Sequence, residues 1–443
     1  MSTVILIIVL IFLVLTTKKR PINGLFLYFC IRMVIPSTAR VLMFSFNTIA
    51  LVCLLICLLP SLKKRFYHCS TKDKLYVKYS IKLFLMLFAL TLFAFMVPKG
   101  YQWSGLIQML GTEFLPSILI LIFLCDKKEY KKFCNLIAVM TLFYAIYSIY
   151  TYVFSVNPIS DFFNTSDKEG MDLIDYANGR MGLTGIAVGI YDDKIACSLI
   201  GLLLFMFVIA NDKINKILRY SAAVLTLVTI FLTTQRTGLL CSFLFIGIMV
   251  LDKRKNNVIR KYSLVGIVLI FIFLSFNSNK IIDDAIYSIL YLFDDNMQQK
   301  LGVGGSSMEL RAFQYLNGIS YLGLSNLFQG AGFSFPQYYY SYIWNAELYG
   351  MDYRFAGFES FSLKILMSSG IVGLFAWTSF FMKVYKNFLS KNVYNFAFLV
   401  VYISAIIMTD ASASFYLFFI LLILNYKNDS LNIVTDRKNI SLL

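Results

Sequence analysis

Histidine is almost missing from this chain: 443 residues hold a single one, His68, inside a basic run. That excludes a histidine-rich metal site, because such a site draws several imidazoles together. Charge is scarce as well. Only 14% of the residues are charged, against about 25% in an ordinary soluble domain. The acidic sign is the rarer one, 24 residues against 40 basic, which leaves a net charge of +16. Cysteine avoids the longest polar stretch. The eight residues Cys30, Cys53, Cys57, Cys69, Cys125, Cys134, Cys197 and Cys241 lie in or beside apolar segments, and none falls between Phe276 and Phe361. An exported disulfide framework would place them in exposed loops. They read instead as small buried apolar residues.

What fills the chain is apolar: 59% of residues are hydrophobic and the mean hydropathy is +0.72. A soluble fold cannot hide that much apolar surface, so the excess faces lipid. A spanning helix needs about 20 residues, and about 17 at the least. The candidate spans lie near 3–17, 22–37, 41–60, 79–97, 107–125, 134–154, 195–210, 217–233, 238–251, 262–276, 361–382, 393–409 and 412–426. The expected fold is an all-α polytopic membrane protein of about 11–13 transmembrane helices. The first span, Val4 to Leu15, is followed by Lys18, Lys19 and Arg20 rather than preceded by basic residues. It therefore reads as a retained anchor and not as a cleaved signal.

Orientation follows from the distribution of Lys and Arg. Basic loops occur at Lys63–Lys78, Lys127–Lys132, Lys213–Arg219, Lys253–Lys261 and Lys383–Lys391, and in the tail at Lys427, Arg437 and Lys438. Alternating spans put all of them on one side, the cytoplasm. The net charge is then a topology signal, and binding to nucleic acid is not expected. The opposite loops are acidic. Residues 157–194 hold seven acidic residues against three basic ones, and residues 277–360 hold eight against four. The chain divides into helices 1–276 with an external loop near 155–194, a large external loop 277–360, and C-terminal helices with a cytoplasmic tail, 361–443. The large loop is too long for a simple connector. It is rich in Tyr, Phe and Gly, and Met308–Leu324 has helical spacing, so short helices over the outer mouth are expected. Its aromatics suit either an interfacial belt or the apolar faces of sugars.

Three local features could carry chemistry. The turn Thr233-Thr234-Gln235-Arg236-Thr237-Gly238 sits at the outer end of two apolar stretches. An arginine there costs a few kcal/mol unless it snorkels or meets an anion. A guanidinium beside threonine hydroxyls suits a phosphate. The second feature is Arg311 followed by Gly330-Ala331-Gly332. The third is Glu359-Ser360 opening a helix that runs into Gly370-Ile371-Val372-Gly373-Leu374. Glu359 there is either a helix cap or a general base near the interface.

In order and spacing these features resemble the O-antigen polymerase and ligase family of bacterial envelope glycosyltransferases. An earlier element, Gly179-Arg180 with Gly185 and Asp193-Lys194-Ile195-Ala196, looks like the family's preceding external loop. The likeness covers roughly residues 155–385. It implies a GT-C-like membrane glycosyltransferase in the bacterial cytoplasmic membrane, acting on an undecaprenyl-pyrophosphate-linked oligosaccharide. O-antigen, lipopolysaccharide, capsule or exopolysaccharide synthesis would be its setting, with a chain-length regulator and a flippase as partners besides membrane lipid. No cofactor and no metal are implied. The catalytic residues would be Glu359, Arg236 and Arg311, and the substrate-binding ones Arg180, Arg354, Gln235 and Thr237. The family's ligases carry histidine where this chain has Glu359, which favours a repeat-unit polymerase over a ligase. A lipid-linked oligosaccharide flippase or exporter is the other class. Transporters keep ionisable residues near the midplane, whereas Arg32, Lys82 and Asp410 each fall near a span end.

Overall fold

The structure is a computed structural model that describes residues 2–36, 39–41, 44–94, 105–107, 109–163, 189–190, 193–233, 235–251, 307–333, 360–389, 392–409 and 414–440. The expected span 262–276 and most of the 277–360 loop lie outside the described residues.

The elements follow in chain order: α1 (Ser2–Lys19), α2 (Pro21–Val34), β1 (Arg40–Val41), β2 (Phe44–Ser45), α3 (Phe46–Tyr67), α4 (Thr71–Ala94), a π-helical segment (Met109–Phe114), α5 (Leu115–Phe123), α6 (Lys127–Phe154) and α7 (Pro158–Phe163). Then come α8 (Lys194–Ala210), α9 (Lys216–Leu232), α10 (Arg236–Leu251), α11 (Ser307–Asn326), α12 (Phe361–Asn387), α13 (Val393–Met408) and α14 (Phe415–Ile440). Among the described residues the only strands are the short antiparallel pair β1–β2, with Arg40 opposite Ser45.

Among the described residues six helices are long and apolar enough to cross a membrane: Ser2–Lys19, Phe46–Tyr67, Thr71–Ala94, Gly105–Phe123, Lys127–Phe154 and Phe361–Asn387. Shorter apolar helices stand beside them at Pro21–Val34, Lys194–Ala210, Thr237–Val250, Val393–Met408 and Phe415–Asn428. The chain is an all-helical, polytopic membrane protein. Its apolar residues are divided between two environments. Val4, Ile8, Ile11, Phe12 and Leu15 of α1 are exposed, as lipid-facing side chains must be. In α8 every residue from Ala196 to Val208 is buried, the pattern of a helix enclosed by other helices.

Five buried hydroxyls in these helices are satisfied locally. Thr17, Ser80, Thr91, Thr141 and Thr226 each donate to the carbonyl four residues earlier, at 2.6–2.9 Å. In a medium without water this is how a polar side chain avoids an unmet bond. Four cysteines, Cys69, Cys134, Cys197 and Cys241, are buried. Cys30, Cys53 and Cys57 are half-buried, and Cys125 departs from the expectation by lying exposed just past the end of α5.

The contacts define two compact units. One comprises Met1–Ser70, Gly111–Leu239 and Ala413–Leu443, and the other Thr71–Leu110 and Leu240–Ser412. In the first, α6, α8 and α9 pack on one another, and α14 lies against α5 and α8. Gly201 of α8 sits where an added Cβ would stand 3.2 Å from Ile230 of α9, so the small residue sets that close approach. In the second unit α12 packs against α4, α11 and α13. The pair α4–α12 is antiparallel. Tyr79 near the start of α4 meets Asn387 at the end of α12, while Leu90 faces Gly373.

Candidate functional site

In the second unit α11 delivers the chain to the break in α12. Helix α11 matches the sequence expectation for Met308–Leu324. It ends in practice at Gly323, whose φ of +62 is not helical. Helix α12 is interrupted at Gly370, with φ +66 and ψ −170. Interrupting a membrane helix frees backbone groups that must be met by protein. Residues 327–332 meet them. Ala331 N–H donates to Met367 O at 2.7 Å and Gly332 N–H to Ser368 O at 3.0 Å. In return Ile371 N–H donates to Leu327 O at 2.9 Å and Val372 N–H to Phe328 O at 3.2 Å. Gly330 has φ +79, and a Cβ there would stand 2.6 Å from Gly370 N. The two glycine motifs of the sequence are therefore the two halves of one backbone interlock. Their role is architectural; they present no reactive side chains.

The same α11–α12 contact places a cluster of hydroxyls at the start of α12. Ser360 caps α12 by accepting from Leu363 N–H at 3.3 Å and donates to Ile407 O at 3.0 Å. Tyr315 Oη lies 2.9 Å from Ser360 Oγ and 2.6 Å from Ser362 Oγ, and the two serines are 2.7 Å apart. With the Ser360 proton donated to Ile407 O, the Tyr315 and Ser362 protons serve two of these three oxygen–oxygen contacts at a time. Ser360 is fully buried. Arg311 precedes Tyr315 by four residues in the same helix. Glu359 directly precedes Ser360. The backbone thus brings the Arg311 helix to the end of α12 beside which Glu359 lies in sequence. Glu359 itself, with Arg354 and Arg180, lies outside the described residues. Tyr315→Phe is expected to lower stability by about 1–2 kcal/mol, the worth of one or two hydrogen bonds. Thermal unfolding in detergent reads it, and an unchanged midpoint removes this hydroxyl from the docking of α11.

In the first unit the turn between α9 and α10 is short and tightly bonded. Thr233 Oγ1 donates to Ile230 O at 2.7 Å and accepts from Gln235 N–H at 3.3 Å. Gln235 O accepts from Leu239 N–H at 3.2 Å. Gln235 is half-buried and Thr237 buried. Gly238 lies against Ser198 of α8 so closely that a Cβ would collide with its side chain. Arg236 is the first residue of α10. A cation at a helix N-terminus opposes the dipole, and an anion there meets both the dipole and the cation. The ends of the loop between α6 and α8 are tied in this unit too. Tyr147 Oη donates to Asn157 Oδ1 at 2.6 Å, and Asn157 Nδ2 donates to Gly189 O at 2.7 Å.

A further polar cluster was not legible in the sequence. Glu113, in the π-helical segment, accepts from Arg32 Nη2 at 3.3 and 3.4 Å, from Thr112 Oγ1 at 2.9 Å and from Tyr416 N–H at 3.2 Å. The Arg32 guanidinium lies 4.1 Å above the Tyr416 ring. The basic ends of α2, α5 and α14 are the opposite ends, so the positive-inside rule places this cluster on the outer side. A lone carboxylate inside the apolar run 105–123 was the available signal. Tyr315 had a similar one, its helical spacing from Arg311.

An all-helical polytopic membrane protein, with an interlocked broken helix in one unit and polar clusters at helix ends in each, is the class that these observations define. Residues 221–378 match the family model described as O-Antigen ligase. The chain thus carries a domain of the O-antigen ligase and polymerase family, whose members work in bacterial surface polysaccharide synthesis. The matched residues include Arg236, Arg311, both glycine motifs and Glu359; the Gly179-Arg180 element lies before them. No curated protein and no solved structure matches the chain.

Proposed function

We propose that this chain is a polymerase. It joins undecaprenyl-pyrophosphate-linked oligosaccharide repeat units into a surface polysaccharide on the outer face of the cytoplasmic membrane. The observation that carries the choice within the family is the histidine count. His68 is the only one, and it follows α3 at that helix's basic end. A histidine-based ligase mechanism has no residue to work with.

In this reading the hydroxyl oxygen of the incoming unit forms a bond to the anomeric carbon of the growing chain. The bond from that carbon to the pyrophosphate oxygen breaks, and its electron pair leaves on the lipid pyrophosphate. The acceptor proton passes to the carboxylate of Glu359. Charge develops on the leaving oxygens, where Arg236 and Arg311 stabilise it. Gln235, Thr237, Arg180 and Arg354 bind the remaining phosphate and sugar groups.

The test uses the full-length protein reconstituted with lipid-linked repeat units and no other acceptor. The wild type is expected to give a polymer ladder on a gel. Arg236→Ala and Arg311→Ala are each expected to leave single units, with losses of about a hundredfold or more. Glu359→Gln is expected to lose polymer as well. A full ladder from both arginine variants overturns the site, and no ladder from the wild type without an added acceptor overturns the polymerase.

A further inference from the structure

Near its cytoplasmic end the α4–α12 pair does not close. Tyr76 packs edge-on against Phe388 at 5.2 Å and Phe380 at 6.0 Å. Tyr79 Oη accepts from Asn387 Nδ2 at 3.0 Å. Just above these contacts the helices leave a cavity of about 340 Å³. The spacing of the sequence explains its lining. Tyr79, Lys82, Leu83 and Met86 fall on one face of α4, and Phe375, Ser379 and Lys383 fall on one face of α12.

The cavity is graded. Lys82 and Lys383 stand toward the basic end of the pair, where α4 also carries Lys72, Lys74 and Lys78, and α12 carries Lys386. Leu83, Met86 and Phe375 continue the cavity toward the bilayer centre. Phe375 is 70% exposed and Met86 39%, so the groove opens sideways, into lipid. Both lysines are exposed. Among the described residues neither forms an ion pair, and Lys383 Nζ lies 5.8 Å from the Tyr79 ring centroid. Lys82 is also set beyond the basic loop, within the apolar part of α4. The usual topological lysine sits in the loop; this one stands one turn further along the helix, near the span end, and reaches the headgroup layer by snorkelling.

Two ammonium groups at headgroup depth above an apolar groove open to the bilayer fit a single ligand class. We propose that the groove between α4 and α12 binds an anionic phospholipid of the inner leaflet, its phosphate between Lys82 and Lys383 and an acyl chain against Leu83, Met86 and Phe375. Basic pockets between spanning helices on the cytoplasmic side are suited to such headgroups. The apolar part of the groove distinguishes a lipid from free phosphate, which has nothing to place there.

The experiment is native mass spectrometry of the purified full-length protein, titrated with phosphatidylglycerol or with phosphatidylcholine of the same chains. Phosphatidylglycerol is expected to bind at least roughly tenfold more tightly. Lys82→Gln with Lys383→Gln is expected to abolish that preference. Ala376→Trp, which fills the groove and keeps both lysines, is expected to weaken both lipids. Inorganic phosphate at millimolar concentration is expected not to compete. Unchanged melting in phosphatidylcholine nanodiscs checks that the variants are folded. Equal binding of the two lipids by the wild type overturns the proposal. So does an undiminished preference in the double lysine variant, or displacement of the lipid by phosphate alone.

Discussion

Gly370→Ala is expected to leave little folded protein in the membrane. The position has φ +66 and ψ −170, a region that is essentially restricted to glycine and costs about 1–3 kcal/mol for other residues. The larger obstacle is steric. An added Cβ would collide with the carbonyl of Phe328 and stand 2.6 Å from Gln329 N. These are backbone atoms, and no rotamer change moves them away. Segment 327–332 must then withdraw from the break in α12. Withdrawal releases Met367 O and Ser368 O as acceptors, and Ile371 N–H and Val372 N–H as donors. Each unmet backbone group costs several kcal/mol in a medium without water. Gly247→Ala is the control: nothing lies within 4 Å of a Cβ there, and alanine in a helix is favoured by about 1 kcal/mol. Membrane yield, chromatographic profile and thermal unfolding in detergent should separate the two. Comparable folded yields would mean that the interlock contributes little.

The interlock also marks where the sequence stops being readable. Spans, their basic ends and the α11 segment follow from local periodicity and charge, and those readings match α1 to α6, α8 to α11 and α12 to α14. The short segments 22–37 and 238–251 hold helices, as α2 and α10. Ser360 was readable as a helix opener because a serine before an apolar run is a cap. Gly330-Ala331-Gly332 and Gly370-Ile371-Val372 were readable as motifs but not as partners. Their bonds join residues about forty apart through backbone groups, and backbone bonding between distant segments leaves no mark in side-chain spacing. Glu113 was lost for a related reason. A single carboxylate barely changes the hydropathy of an apolar run, and its partners Arg32 and Tyr416 are 81 and 303 residues away. Of the seven expected site residues, Gln235 and Thr237 are placed with their side chains, and Arg236 and Arg311 by backbone.

Removing either half of the Arg32–Glu113 pair is expected to cost about 3 kcal/mol. Arg32 has a side-chain exposure of 7% and Glu113 of 19%. Breaking a buried pair strands one charge and costs about 3–5 kcal/mol, and the partial exposure of Glu113 selects the lower end. The pair does more than hold two helices. Glu113 also accepts the Tyr416 N–H at the start of α14, and Tyr416 Oη donates to Arg32 O at 3.4 Å. Arg32→Ala therefore disturbs α2, the π-helical segment and α14 at once. Arg32→Met with Glu113→Met leaves no stranded charge, so it should be less destabilising than either single change. A double-mutant cycle from thermal unfolding reads the coupling directly. Coupling below about 0.5 kcal/mol would show that the two residues act independently. Glu113→Gln then separates packing from chemistry. The amide oxygen still accepts from Tyr416 N–H, and much of the geometry survives without the charge. If that variant stays folded and still makes a polymer ladder, Glu113 is a structural clamp. If it stays folded and makes only single units, the carboxylate takes part in the reaction, and the assignment of the base to Glu359 has a competitor in the first unit.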